Sequence, residues 1–258
     1  AVSRTPAMAK YLFSSLHADT LNKRIHASSQ SSWLLPWNSS FQAIDSVHLN
    51  SPVSSISFAS EIVLASLGIM DPNDQPKGSL VKLTNGKTET LFDSLRRPVF
   101  VTTADFNKDG KLDYVVCNFG NYGGDLIILE NKDNKNFTPH VLSSLPGARK
   151  VIVRDFNQDG LPDVLAQLTQ GNEQISLFTN GGNFRFKINT LLRFPAVYGS
   201  SYFDIVDFNK DGHFDILYTS GDNADYSIIL KPYHGVRIFL NDGKNNFTES
   251  WFHYIPGC

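Results

Sequence analysis

Apolar residues along this chain come in runs of about five to eight, each closed by a polar turn rather than extended at helical spacing. Three stretches show the pattern most clearly. "RPVFVTTA", "RKVIVR" and "SSYFDIV" each lead into an acidic loop; "YVVCNF", "VLAQL" and "ILYTS" follow it. A third run comes next, "DLIILEN", "QISLFTN" and "VRIFLN". Then a turn rich in Asn, Asp and Gly precedes a fourth run, "NFTPHVL", "NFRFKIN" and "NFTESWF". Short runs rich in β-branched and aromatic residues, bounded by turn residues, predict strands. Each unit therefore reads strand–loop–strand–loop–strand–turn–strand over about 50 residues, the spacing of four-stranded propeller blades. One such sheet cannot cover both its faces, and stacking against neighbours does so.

Two weaker units precede these three. Residues 52–68, "PVSSISFASEIVLASLG", align with the first two strands, but the acidic loop has shrunk to "AS". Residues 79–95 supply the third and fourth strands around an Asn85-Gly86 hairpin signal. A further irregular unit fits within 18–50. The predicted fold is all-β: an N-terminal extension at 1–17, then a β-propeller over 18–258 with blades near 18–50, 51–97, 98–147, 148–195 and 196–255. Helical signal is confined to "AMAKYLFSSLHADTLNK", enough for a turn or two. About five blades allow a five-bladed ring or part of a six- to seven-bladed one. The ending "YIPGC" resembles "SLPGARKVIV", which leads into a first strand, so a chain cut at a blade boundary also fits.

The acidic loop is where chemistry concentrates. "DFNKDGKLD" at 105 returns as "DFNQDGLPD" at 155 and "DFNKDGHFD" at 207. Numbered from its first residue, the loop has Asp, Asn, Asp and Asp at positions 1, 3, 5 and 9 in all three copies, and Gly at position 6. Nine of the chain's 25 acidic residues sit in these loops, a repulsion that a cation would relieve. Hard cations such as Ca²⁺ take six to eight oxygens from carboxylates, amides, backbone carbonyls and water. The predicted ligands are Asp105, Asn107, Asp109 and Asp113; Asp155, Asn157, Asp159 and Asp163; and Asp207, Asn209, Asp211 and Asp215. Lys111, Leu161 and His213 at position 7 would add backbone carbonyls, which leaves their side chains free to vary. Gly at position 6 would supply a positive φ, and Phe at position 2 (Phe106, Phe156, Phe208) would pin the hairpin to the core. An EF-hand needs a Glu at position 12; here Val116, Ala166 and Tyr218 stand there, within strands. The reading is up to three Ca²⁺ sites, favoured over Mg²⁺, with a structural role.

Composition narrows the partners. A formal charge of −2 gives no field for nucleic acid, and no apolar run approaches a membrane span. Two cysteines, Cys117 in an apolar run and Cys258 at the end, do not make a disulfide framework. Sequons begin at Asn38, Asn136 and Asn246 and matter only in a eukaryotic secretory setting. The chain starts at Ala1 without a charged-then-apolar leader, as a processed or trimmed chain would. Weak calcium sites suit extracellular concentrations, so the expected location is extracellular, cell-surface or periplasmic.

The D-x-N-x-D-G-x-x-D loop between two strands resembles the FG-GAP/VCBS repeat, the blade of integrin α-chain propellers and of many bacterial secreted proteins. The likeness is strongest in "VYGSSYFDIVDFNKDGHFDILYTSGD" and "CNFGNYGGDLIILEN". It covers about 98–255 well and 51–97 weakly, where the metal ligands are missing. "GDNADYSIILKPYHGVRIFLNDG" is also similar to uncharacterised bacterial VCBS proteins, some of which carry a haem domain; this chain has no haem motif. The resemblance implies a Ca²⁺-stapled propeller used for binding or display, and no single activity.

First-to-second-strand loops share one end of the blades; the second-to-third loops and the blade connections share the other. The metal-free end collects residues 68–78, 118–124, 169–173 and 220–235, with Arg96, Arg97, Arg149, Arg193 and Tyr198. Its candidate ligand face is Asp222, Asn223, Asp225, Tyr226, Lys231, Tyr233, His234 and Arg149, around the longest loop of the clear repeats. A plug packed on a neighbouring blade explains the same loop equally well. No G-x-S-x-G, H-E-x-x-H or P-loop occurs, and the seven histidines lack ligand spacing. The leading expectation is a non-catalytic binding module for a protein or carbohydrate. The alternatives are an enzyme (hydrolase, lyase or redox) at the metal-free mouth, with Asp225 and His234 as an acid–base pair, or a structural segment of a larger protein. Nothing in the sequence sets the oligomeric state.

Overall fold

The computed structural model describes residues 47–59, 62–221 and 230–256 in full, and the strands at 13–19, 24–29 and 33–37 by backbone alone. Among these residues lie five antiparallel four-stranded sheets. The first comprises β1 (Phe13–Asp19), β2 (Arg24–Ser29), β3 (Trp33–Trp37) and β4 (Val47–His48). The second comprises β5 (Val53–Phe58), β6 (Ile62–Ser66), β7 (Gly78–Thr84) and β8 (Lys87–Leu95). Next come β9 (Pro98–Ala104), β10 (Asp113–Asn118), β11 (Asp125–Asn131) and β12 (Phe137–Ser143), then β13 (Ala148–Arg154), β14 (Asp163–Leu168), β15 (Gln174–Asn180) and β16 (Phe186–Arg193). The last sheet is β17 (Ser200–Val206), β18 (Asp215–Ser220), β19 (Gly235–Asn241) and β20 (Phe247–Tyr254). Every sheet pairs its strands in sequence order, as a meander. β1 replaces the turn of helix that the N-terminal residues allow, and it starts inside the stretch read as an extension.

Contacts divide the chain into two units: residues 1–104 with 110–144, and residues 105–109 with 145–258. In the first unit, Val63, Leu80 and Leu95 of the second sheet pack with Val101, Val116 and Leu129 of the third. Val47 and Leu49 pack against Val53, Leu64 and Val81. In the second unit, Leu165, Ile175 and Leu177 meet Phe203, Ile216, Tyr218 and Phe239. The central strands β10 and β14 are buried at every position, whereas β20 is exposed at nearly every one. Period-2 alternation gives way to solid burial where a strand is covered on both faces.

The repeats match in irregularities as well as in strands. Register breaks skip Ser14, Ser54, Val99, Arg149 and Ser201 near the start of the first strand in all five sheets. The third-to-fourth strand pairings break once or more in each of the four complete sheets. Asn85 (φ 50°) and Gly86 (φ 75°) form the hairpin turn that their sequence signals.

Candidate functional site

The acidic loops share one internal frame. In residues 105–109, the Asp109 amide donates to Asp105 Oδ1 and to Asn107 Oδ1, both at 3.1 Å. Asp159 repeats this toward Asp155 (3.2 Å) and Asn157 (3.1 Å), and Asp211 toward Asp207 and Asn209, both at 3.1 Å. In the second and third loops the position-6 glycine amide donates to the other oxygen of position 1, at 2.7 and 3.0 Å. The position-7 amide, of Leu161 or His213, donates to the position-5 carboxylate at 2.8 Å. Gly110, Gly160 and Gly212 have φ of 83°, 83° and 89°, as the turn predicts. Position 4 is also left-handed, at Lys108, Gln158 and Lys210. Residue type carries no sign of that, because none of these residues is Gly or Asn.

Position 9 has a second task. Asp163 is fully buried and accepts from the Phe156 amide (2.9 Å) and the Asn180 amide (2.7 Å). Asp215, equally buried, accepts from Phe208 (2.8 Å) and Asn241 (2.9 Å). Asp113 accepts from the Asn131 amide at 2.8 Å. This carboxylate thus joins the loop's start to the end of the third strand. The buried asparagines that close that strand, Asn131, Asn180 and Asn241, are structural partners that the sequence reading passed over. Their signal was the repeated "EN", "TN" and "LN".

Electrostatics differ along the loop. Burial pushes the Asp163 carboxyl up. The amides of Asn180 and Phe156 oppose this, while the charges of Asp159 and Asp155 add to it. At position 5 the shift is reversed: the Leu161 amide holds Asp159 low, and the His213 amide does the same for Asp211. The donors are all oxygens, the set a hard cation selects. As the side chains stand, no three His, Cys, Asp or Glu among the described residues are gathered closely enough to hold a metal ion. Their oxygens are turned to the loop's own amides instead. The donor set therefore suits calcium in kind, and each oxygen that accepts a loop amide keeps a lone pair for an ion.

Phenylalanine at position 2 does not behave alike in the three copies. Phe106 is fully buried, with its ring edge-on to Phe186 at 6.1 Å. Phe156 is half-buried and Phe208 is 41% exposed. The expectation of a core anchor in every copy is corrected at Phe208: Phe106 is seated in full and Phe156 packs partly buried against the second unit's core.

At the other end of the sheets, several loops come together within each unit. In the first unit Asp74, from 68–78, accepts from the amides of Asn121 (2.7 Å), Tyr122 (3.1 Å) and Gly123 (2.9 Å) in 118–124. Burial works to raise its carboxyl, but these amides and Arg96 hold it below the usual carboxylate range. In the second unit Tyr233 stacks on Tyr198 (5.1 Å between rings), and the Arg237 guanidinium lies between Tyr198 and Phe252. Glu173, buried, accepts from the Ser200 amide (3.0 Å) and hydroxyl (2.5 Å).

Of the candidate ligand face, Asp222, Asn223, Asp225 and Tyr226 lie outside the described residues. Arg149 is exposed beside the break in β13, Lys231 and Tyr233 are half-buried, and His234 is fully buried. His234 is thus a packing residue here. The tight turn from Lys231 and the Tyr233 ring lie against it, and Asp225, its partner in the acid–base reading, is outside the described residues. No helix among the described residues is long and apolar enough to cross a membrane.

The FG-GAP-like repeat family model matches twice, over residues 105–166 and 155–218. No protein of curated function matches the chain in sequence. Among solved structures, the β-propeller domain of Cps50 (Swd1) from Myceliophteria thermophila aligns over 93% of this chain and 71% of its own, with a TM-score of 0.56. An auxiliary nutrient binding protein from Bacteroides thetaiotaomicron aligns over 91% of this chain, with a TM-score of 0.57, and the chain spans 56% of that protein's length. Each shares 10% identity with the chain, a level that speaks to fold alone. By the loop it repeats and the sheets that loop connects, the chain has the β-propeller fold, and its residues 105–218 match the FG-GAP-like repeat model.

Proposed function

We propose that this propeller is an interaction module, secreted or displayed at a surface, whose acidic loops take calcium and whose loops at the opposite end of the sheets meet a protein or carbohydrate. The observation that carries the reading is the threefold loop frame, with the oxygens at positions 1 and 3 turned onto the position-5 amide in every copy. A turn needing only solubility has no reason to keep four oxygen positions in each copy. Asp105, Asn107, Asp109 and Asp113, with their counterparts at 155–163 and 207–215, would hold the ions. Bound calcium would neutralise the carboxylates and tie the first two strands of each blade together. Weak sites of this kind fill at extracellular calcium levels.

Thermal unfolding in calcium and in excess EGTA tests the calcium reading. One site at 100 times its dissociation constant contributes about 2.7 kcal/mol. The melting temperature should rise with calcium, and Asp155→Ala with Asp207→Ala should blunt the rise. Identical melts in calcium and EGTA would remove it. For the partner, the exposed Arg149 is the probe: Arg149→Glu should lower capture of glycans or secreted proteins without moving the melt.

A further inference from the structure

We infer that the cleft between the fourth and fifth sheets, at the acidic-loop end, is a binding site for a small apolar carboxylate. This site is separate from the proposed protein or carbohydrate face and does not depend on it. The cleft encloses about 450 Å³, within the range of small-molecule sites. Leu165, Leu177, Leu191, Ile205, Ile216 and Phe247 line its interior. Arg154 and His213 stand among its polar lining.

At the matching place between other sheets the opening is smaller. In the first unit, the matching positions Gly110, Lys111, Leu112, Tyr114 and Asn131 line a cavity of only about 190 Å³. Elsewhere in the second unit, the position is filled. There Phe106 is buried against Phe186, and its carbonyl accepts from Asn180 Nδ2 at 3.0 Å. At the open cleft the same three positions are Phe156, Phe247 and Asn241. Phe156 stays half-buried on the wall. Asn241 Nδ2 instead donates to the Phe214 carbonyl of its own loop, at 3.1 Å.

Two sequence changes account for the difference. Position 8 of the loop is Pro162 in the fourth sheet but Phe214 in the fifth. The residue before the loop is Ala104 in the first copy but Arg154 in the second. Arg154 stacks its guanidinium on the Phe214 ring at 4.2 Å, and the pair walls the cleft. Gly243 leaves room for the His213 ring, since a Cβ there would lie 2.6 Å from His213 Nε2.

Charge selects the ligand. Arg154 is exposed and, among the described residues, has no carboxylate within ion-pair distance. The nearest acidic lining residue, Asp155, turns its two oxygens to the amides of Asp159 and Gly160. An apolar body with an anionic head matches an apolar interior beside an uncompensated guanidinium.

Titration with 4-phenylbutyrate and its neutral analogue 4-phenyl-1-butanol, followed by calorimetry or by NMR shifts of the cleft residues, tests the assignment. The acid should bind at one site about tenfold more tightly than the alcohol, the worth of one charge-assisted contact. Arg154→Gln, an exposed substitution, should bring the acid down to the alcohol. Leu191→Trp, which fills the cleft from its wall, should abolish both while circular dichroism stays unchanged. Equal binding of acid and alcohol, binding untouched by Arg154→Gln, or no saturable binding of either would overturn the proposal.

Discussion

The three position-2 phenylalanines offer a test in which the sequence is constant and only the seat changes. Phe106, Phe156 and Phe208 occupy the same place in nearly the same nine residues, yet they run from fully buried through half-buried to 41% exposed. Truncation of a buried Phe to Ala costs about 3–5 kcal/mol, through lost transfer energy and the cavity left behind. Phe106 carries that full cost, since it also packs edge-on to Phe186. Phe208→Ala at an exposed site should cost no more than about 0.5 kcal/mol, with Phe156→Ala between them. For a unit of this size each kcal/mol moves the melting temperature by about 2–4 °C. Phe106→Ala should therefore lower it by about 6–20 °C and Phe208→Ala by about 2 °C or less. Differential scanning calorimetry of the three variants at one calcium concentration reads the order directly. Equal shifts for Phe106 and Phe208 would refute the packing argument, because they would mean that sequence position rather than burial sets the contribution.

Other consequences follow from single contacts. Asp215→Ala removes a buried acceptor from the amides of Phe208 and Asn241, and should cost about 2–5 kcal/mol even in EGTA; a chemical melt reports it separately from any metal effect. Asp74→Asn should speed hydrogen exchange at the amides of Asn121, Tyr122 and Gly123. Because the folded Asp74 pKa lies below its unfolded value, its contribution is present above about pH 3.8 and lost as pH falls through the lowered folded value. Acid should thus reproduce the Asp74→Asn exchange pattern in the wild type. Glu173→Ala leaves the buried Ser200 amide without its acceptor and should destabilise by about 1–3 kcal/mol, seen as a lower melting temperature.

Periodicity made the sheets legible. Four apolar runs at a fixed spacing fix strand number, order and antiparallel pairing, because consecutive strands joined by short turns have few other ways to pair. The Asn85-Gly86 turn and the positive φ at Gly110, Gly160 and Gly212 were readable for the same reason: only certain residues accept those angles at little cost. What the sequence concealed depends on contacts rather than on residue type. Lys108, Gln158 and Lys210 take left-handed angles because the surrounding hydrogen bonds impose them. His234 looks like a loop histidine and is buried by the stacking of Tyr233 on Tyr198, a contact between residues 35 positions apart. Asp74 stands in an ordinary polar loop, and only the amides of 118–124 give it a role.

A repeat protein invites the inference that equal sequences do equal work, and this chain limits that inference to the loop itself. Inside the nine residues, the bonds from the position-5 amide recur to within about 0.1 Å because both partners are supplied locally. At the position-8 side chain and at the residue just before the loop, the copies part. Pro162 against Phe214, and Ala104 against Arg154, are changes at positions that no loop bond constrains. Such positions are free to vary without cost to the shared frame, so they are where a repeat can acquire a specific surface. Arg154 stacked on Phe214 is one case. Exchanging Arg154 and Phe214 for the Ala and Pro of the other copies tests this division. The substitutions should leave the loop's hydrogen bonds intact while allowing the cleft to close. A loop frame that rearranged with them would show that the repeat and its surroundings are coupled after all.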